Sequence, residues 1–130
     1  MSDGRVQMVK GGLLLAGGLA WALLVPAIGL SESKPAVPAE LKPGETLFNN
    51  NCARCHGERG TGTSNGPPFV HKIYEPNHHG DAAFQRAASM GVRAHHWQFG
   101  DMPKIPTVSP ADVEQIVKYV RWLQRQAGIF

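Results

Sequence analysis

The stretch Cys52-Ala53-Arg54-Cys55-His56 holds the only two cysteines of the 130 residues, three apart and followed at once by a histidine. Four chemistries compete for that arrangement. A disulfide between such near neighbours would close a tiny loop and constrain little of the unfolded chain. A thioredoxin-like dithiol belongs beside a βαβ pattern, and no strand pattern precedes Cys52. A structural zinc ion needs four ligands. His71, His78, His79, His95 and His96 are available, but no two of them form the usual H-x₃₋₅-H pair. Covalent haem attachment remains, for which C-x-x-C-H is a signature. Two thiols on successive turns of one helix can add to the two vinyl groups along one porphyrin edge. The following residue then lies under the ring, where the His56 imidazole can ligate iron. The expectation is one haem c bound through Cys52 and Cys55, with His56 as an axial ligand.

The opposite axial position is expected to fall to Met102, in the loop Phe-Gly-Asp-Met-Pro. A loop methionine held by the proline behind it is placed to reach across the ring. Met1 and Met8 precede a long apolar run, and Met90, at the end of a helical segment, is expected to pack in the core. His95 and His96 are the rivals for this position. Bis-histidine ligation would lower the reduction potential relative to Met/His. The pairs His78-His79 and His95-His96 also have the composition of a transition-metal site.

These residues need elements to position them. Residues from about Pro43–Gly44 read as a helix leading into the cysteines, with Leu47 and Phe48 inward and the Asn run a poor continuation. Residues 57–80 are dominated by Gly, Pro, Asn and polar residues and read as loop. Residues 81–90 read as a short helix, with Asp81 as cap and Gly91 just past its end. Residues 109–128 carry Ser109 as N-cap and Pro110 at the first helical position. There Val113, Ile116, Val117, Val120 and Leu123 recur at helical spacing. Gly128 ends this segment, and Arg121 and Arg125 suit the negative end of the helix dipole. No segment shows a strand pattern, so the class is all-α with long loops. A domain this small and loop-rich buries little apolar surface of its own. A large flat cofactor would supply the missing core.

Ahead of this domain, residues 11–30 carry no charge, and twenty residues at the helical rise span about 30 Å, a bilayer's hydrocarbon thickness. Arg5 and Lys10 precede the run, opposed only by Asp3. The positive-inside rule therefore places residues 1–10 in the cytoplasm and the rest across the membrane. A cleaved signal peptide is the competing reading, with small residues at Val25-Pro26-Ala27 suited to a peptidase. Residues 31–43 contain three prolines and read as a semi-rigid extended linker, at roughly 3 Å per residue where polyproline-like. The domain expected to fold is 44–130. Formal net charge is only +3, from 13 basic and 10 acidic residues. The excess is small and scattered, which argues against a nucleic-acid partner.

The motifs Gly-Glu-Thr-Leu-Phe (44–48), Cys-Ala-Arg-Cys-His (52–56), Gly-Pro-Pro-Phe-Val (66–70), Gly-Asp-Ala-Ala-Phe (80–84), Gly-Asp-Met-Pro (100–103) and residues 109–123 resemble the class I, monohaem cytochrome c family across 44–130. The resemblance implies crossed N- and C-terminal helices around haem, with Gly44 and Phe48 meeting Ile116 and Tyr119. It implies that the proximal histidine donates its Nδ1–H to a loop proline carbonyl, here Pro67 or Pro68. It also implies that Phe69 packs on the haem and that Trp97 contacts the ring or a propionate. The double histidines and the long loop 57–80 depart from the family pattern, which concerns loop paths.

The whole resembles membrane-anchored bacterial cytochromes, with the haem domain on the periplasmic side of the inner membrane. The implied role is carriage of single electrons, not an enzyme by itself. The implied donors are a bc1-type complex or a dehydrogenase, and the implied acceptors a terminal oxidase or reductase. Lys72, Arg86, Arg93 and Lys104 are candidate rim charges for salt-sensitive docking. Two alternatives stay open: a permanent haem subunit of a larger membrane oxidoreductase, and a haem gas sensor or peroxidase.

Overall fold

The structure is a computed structural model, and it describes residues 34–130. The apolar run 11–30 and the anchor expected there lie outside the described residues. Among the described residues no helix is long and apolar enough to cross a membrane.

Among the described residues, four helices and three short 3-10 turns account for the regular structure. Helix α1 spans Lys42–Asn51 and α2 Ala53–His56. Helix α3 spans Asp81–Met90 and α4 Pro110–Gln126. The 3-10 turns are Ala39–Leu41, Glu58–Gly60 and Lys72–Tyr74. The described residues contain no strand, only isolated bridges such as Val92 with Met102.

Helix α4 follows its sequence signals closely. The Ser109 Oγ accepts from the Asp112 backbone N–H at 3.2 Å, and the Asp112 carboxylate accepts from the Ser109 N–H at 2.8 Å. This reciprocal capping box satisfies two otherwise orphan donors, and Pro110 occupies the first helical position, where no donor is needed. Val113, Ile116, Val117, Val120 and Leu123 are all buried, as the periodicity predicts, and Tyr119 and Trp122 join them.

The core forms where α1 crosses α4. Phe48 and Tyr119 are fully buried, with ring centroids 5.5 Å apart, and Phe69 meets Phe48 edge-on at 6.2 Å. Burying one such aromatic contributes about 1.5–3 kcal/mol. The helices approach closely because Gly44 is buried at the crossing. A Cβ there would strike the Gln115 carbonyl oxygen and lie 3.1 Å from the Tyr119 Cβ.

Several expectations need correction. The Asn run does not weaken α1, which continues through Asn51 while the Asn51 side chain donates to the Leu47 carbonyl at 2.9 Å. The extended linker ends earlier than residue 43. Val37 is buried in the core, Leu41 packs against it, and Arg59 donates to the Pro35 carbonyl at 3.2 Å. Two apolar side chains in a proline-rich stretch suffice to dock it, because the prolines have already restricted the backbone. Asp81 is not the cap of α3. Gly80 occupies that position, and the Asp81 carboxylate turns instead to Arg121. Met90 is 71% exposed, not core. The apolar face of α3 lines a cavity, and Met90 stands on that wall.

Candidate cofactor site

The chain enters the site through a helix that bends without stopping. The Cys52 N–H donates to the Phe48 carbonyl at 2.8 Å, and the His56 N–H to the Cys52 carbonyl at 2.9 Å. Cys52, Cys55 and His56 thereby fall on successive turns beside one cavity, and both cysteines are free thiols. Burial, and secondarily Cys55 beside it, push the Cys52 thiol up to about 11.

His56 is held from behind. Its Nδ1 donates to the Pro67 carbonyl at 2.9 Å, which selects Pro67 over Pro68. That bond fixes the tautomer in which Nε2 carries the lone pair. Its ring stacks on Phe69 with centroids 4.0 Å apart. Burial lowers the His56 pKa, partly opposed by the Pro67 bond, so the imidazole is neutral and able to ligate over a wider pH range.

The loop carrying Pro67 returns because glycines permit it. Gly57 and Gly62 adopt φ of 79° and 83°, and the Gly62 N–H donates to the His56 carbonyl at 2.6 Å. The Thr63 hydroxyl donates to the Cys55 carbonyl at 2.6 Å.

The cavity measures about 570 Å³, and its walls include Cys52, Cys55, His56, Phe84, Trp97 and Met102. That volume lies inside the range of about 300–1,000 Å³ usual for ligand sites. Pro67 and Phe69 line it as well, while Pro68 does not. Trp97 Nε1 is buried with no hydrogen-bond partner among the described residues. An orphan donor on the wall of an apolar cavity calls for an acceptor on whatever fills it.

Met102 is placed by its backbone. Met102 and Val92 exchange two hydrogen bonds at 2.9 Å, and the Ile105 N–H reaches the Ala88 carbonyl at 2.8 Å. The loop is thus tied to the end of α3. Gly91, at φ 80°, makes the close approach possible, since a Cβ there would lie 2.5 Å from the Met102 carbonyl oxygen. His95 and His96 also border the cavity, both exposed.

Arg121 and Gln124 are site-forming residues that sequence reasoning missed. Arg121 is buried and donates to the Asp81 carboxylate, the Tyr74 and His79 carbonyls and the Gln124 Oε1 at 2.6–2.8 Å. The Gln124 amide donates to the Phe69 and Tyr74 carbonyls at 2.9 Å. Together they fasten loop 69–81, and with it one cavity wall, to α4. The sequence signal was position: Arg121 and Gln124 lie four residues after Val117 and Val120, on the inward face. Arg121 therefore serves the loop, not the helix dipole. Arg121→Ala should destabilise the holoprotein by about 3 kcal/mol in denaturant unfolding, through buried acceptors left unpaired. Arg121→Lys should recover little, because an ammonium lacks the planar fork.

The sequence model of the Cytochrome c family matches residues 41–124, and the chain belongs to that family. No curated protein and no solved structure matched. Membership brings a covalently bound haem c with its iron and a haem-based electron-transfer role, and Cys52 and Cys55 are positioned as the C-x-x-C-H motif requires. The residues present fit the group: an apolar cavity of suitable size, two thiols on one wall, a neutral imidazole behind them, and a buried indole donor.

Proposed function

We propose that the protein is a tethered single-electron carrier in which Cys52 and Cys55 hold the haem and His56 and Met102 are its axial ligands. The observation that carries this reading is the His56–Pro67 bond of 2.9 Å beside the two thiols. It prepares one ring nitrogen as a permanent ligand, and Met102 stands on the wall of the same cavity. When bound, haem c supplies a one-electron iron couple, and Met/His ligation raises its potential. The chain's own residues do the rest. Phe69 orients His56, Trp97 would offer its indole N–H to an acceptor on the bound haem, and the apolar walls exclude water.

With both His56 and Met102 holding the iron, no position would remain for a substrate, which favours a carrier over a sensor or peroxidase. Residues 11–30 serve as a single-pass anchor in the inner membrane, with the haem domain on the periplasmic side. The short chain before Val37 tethers that domain, and tethering keeps it near membrane partners at high effective concentration. The donor is a bc1-type complex or a dehydrogenase, and the acceptor a terminal oxidase or reductase. Lys72, Arg86, Arg93 and Lys104 are all exposed. Arg86 and Arg93 border the cavity mouth, where they can steer an acidic partner surface.

The test is a visible spectrum of the protein, oxidised and reduced, with a pyridine haemochrome. A covalent haem c haemochrome, a sharp reduced α-band and a weak far-red band in the oxidised form are expected. Carbon monoxide binding to the reduced protein without denaturant would overturn the carrier reading in favour of a sensor or peroxidase.

A further inference from the structure

The double histidines have no part in the reading above, yet folding gathers them. His78, His79 and His96 each offer a ring nitrogen, and the three donor atoms lie within 4.8 Å of one another. His78 and His79 sit just before α3, and His96 comes from the loop after it, so tertiary structure makes the cluster. His95 lies beside it, its ring tilted against that of His96 with centroids 4.4 Å apart.

The geometry points to a second metal site, in which His78, His79 and His96 bind one late first-row divalent cation, Zn²⁺ or Cu²⁺. Four observations carry it. First, the Nε2 atoms of His78 and His96 are 3.2 Å apart. Two ligands at about 2.0–2.1 Å on a tetrahedral ion are separated by about 3.3 Å, so this edge of the site is already near its bound length. Second, the His79 Nδ1 donates to the Ile73 carbonyl at 2.6 Å, leaving Nε2 with the lone pair. A backbone carbonyl behind a ligating histidine is the usual device for fixing its tautomer. Third, the backbone carrying His79 is itself fastened, since its carbonyl accepts from Arg121 at 2.6 Å. Fourth, His78 and His96 are exposed, which gives an ion a route in from solvent.

The donor set selects the metal. Imidazole nitrogens without a carboxylate suit Zn²⁺, Cu²⁺ or Ni²⁺ and not Ca²⁺ or Mg²⁺. The fourth position is left for water, or for His95, whose Nδ1 is engaged by the Arg93 carbonyl at 2.8 Å so that Nε2 is the available atom. The site borders the cofactor cavity, whose walls include His79 and His96, but uses neither cysteine, nor His56, nor Met102. This site rests on the ligand reading above, since His96 is available to a second ion where Met102, not His95 or His96, holds the iron.

The experiment is a titration of the untagged holoprotein with ZnCl₂, followed by calorimetry, in parallel with CuCl₂ followed by electron paramagnetic resonance. One equivalent of each ion is expected to bind. The copper signal should show superhyperfine coupling to imidazole nitrogens. His78→Gln and His96→Gln should each weaken binding about tenfold or more, and His78→Gln, whose residue does not line the cofactor cavity, should leave the haem spectrum unchanged. An intact haem spectrum separates failure of this site from failure of the haem reading. The proposal is overturned if the holoprotein binds no stoichiometric ion, the outcome expected if bound haem occupies these imidazoles. It is equally overturned if both variants bind as the parent does.

Discussion

A Met102→Ala variant should keep its covalent haem and lose the weak far-red band of the oxidised protein. Its reduction potential should fall by on the order of 100 mV or more, a modest part of the roughly 0.8 V over which axial ligation tunes haem iron. The direction follows from chemistry: a thioether favours the reduced iron, and its replacement by water or imidazole removes that preference. Structure explains why the fall should not be rescued by loop rearrangement. Met102 is fixed by two backbone hydrogen bonds to Val92 and is followed by Pro103. Neither contact uses the Met102 side chain, so the alanine variant should retain the loop path and lack the thioether proposed to hold the iron. Carbon monoxide should then bind the reduced variant but not the parent. His95→Ala and His96→Ala should leave the far-red band in place. A band that survives Met102→Ala and disappears in either histidine variant would transfer the ligand role.

Helix α4 was legible because local and global signals agree in it. Ser109 and Pro110 start α4, five apolar residues repeat along it, and each of those residues is buried. The cysteine–histidine run was legible because its chemistry depends on spacing within one turn and a half of helix. What stayed hidden depended on tertiary partners. Arg121 and Gln124 lie on the inward face, but their polarity reads as surface until loop 69–81 supplies carbonyls for them to bond. Val37 was submerged in a proline-rich composition, although with Leu41 it is enough to dock that stretch. Asp81 has the residue type of a cap, and competition from a buried guanidinium took its carboxylate elsewhere. Met90 looked like core because the sequence cannot show that the face it shares with Ala83 and Ala87 borders a cavity. The histidine pairs are separated by α3, so their convergence could not be read from spacing at all.

The crossing of α1 and α4 gives a prediction whose sign is decisive. Alanine is a better helix former than glycine by up to about 1 kcal/mol. If the crossing had room, Gly44→Ala would raise stability. The structure leaves none: the added methyl would meet the Gln115 carbonyl oxygen, part of the α4 backbone, and crowd the Tyr119 Cβ. A backbone carbonyl within a helix cannot swing aside as a side-chain end can, so the helices must separate. Separation loosens Phe48 against Tyr119, both fully buried. Overpacking of this kind costs about 1–3 kcal/mol, and widening the gap with Gly44→Val should cost more. The net expectation for Gly44→Ala is a loss of about 2 kcal/mol. For a domain of this size that lowers the Tm by roughly 8–16 °C, at about 4–8 °C per kcal/mol. Thermal unfolding of the holoprotein followed by far-ultraviolet circular dichroism measures it. Gly44 itself does not line the cofactor cavity, so the haem spectrum of the folded variant should match the parent. A Tm unchanged or raised by alanine would mean that the two helices do not meet at Gly44. The core built on Phe48 and Tyr119 would then need a different account.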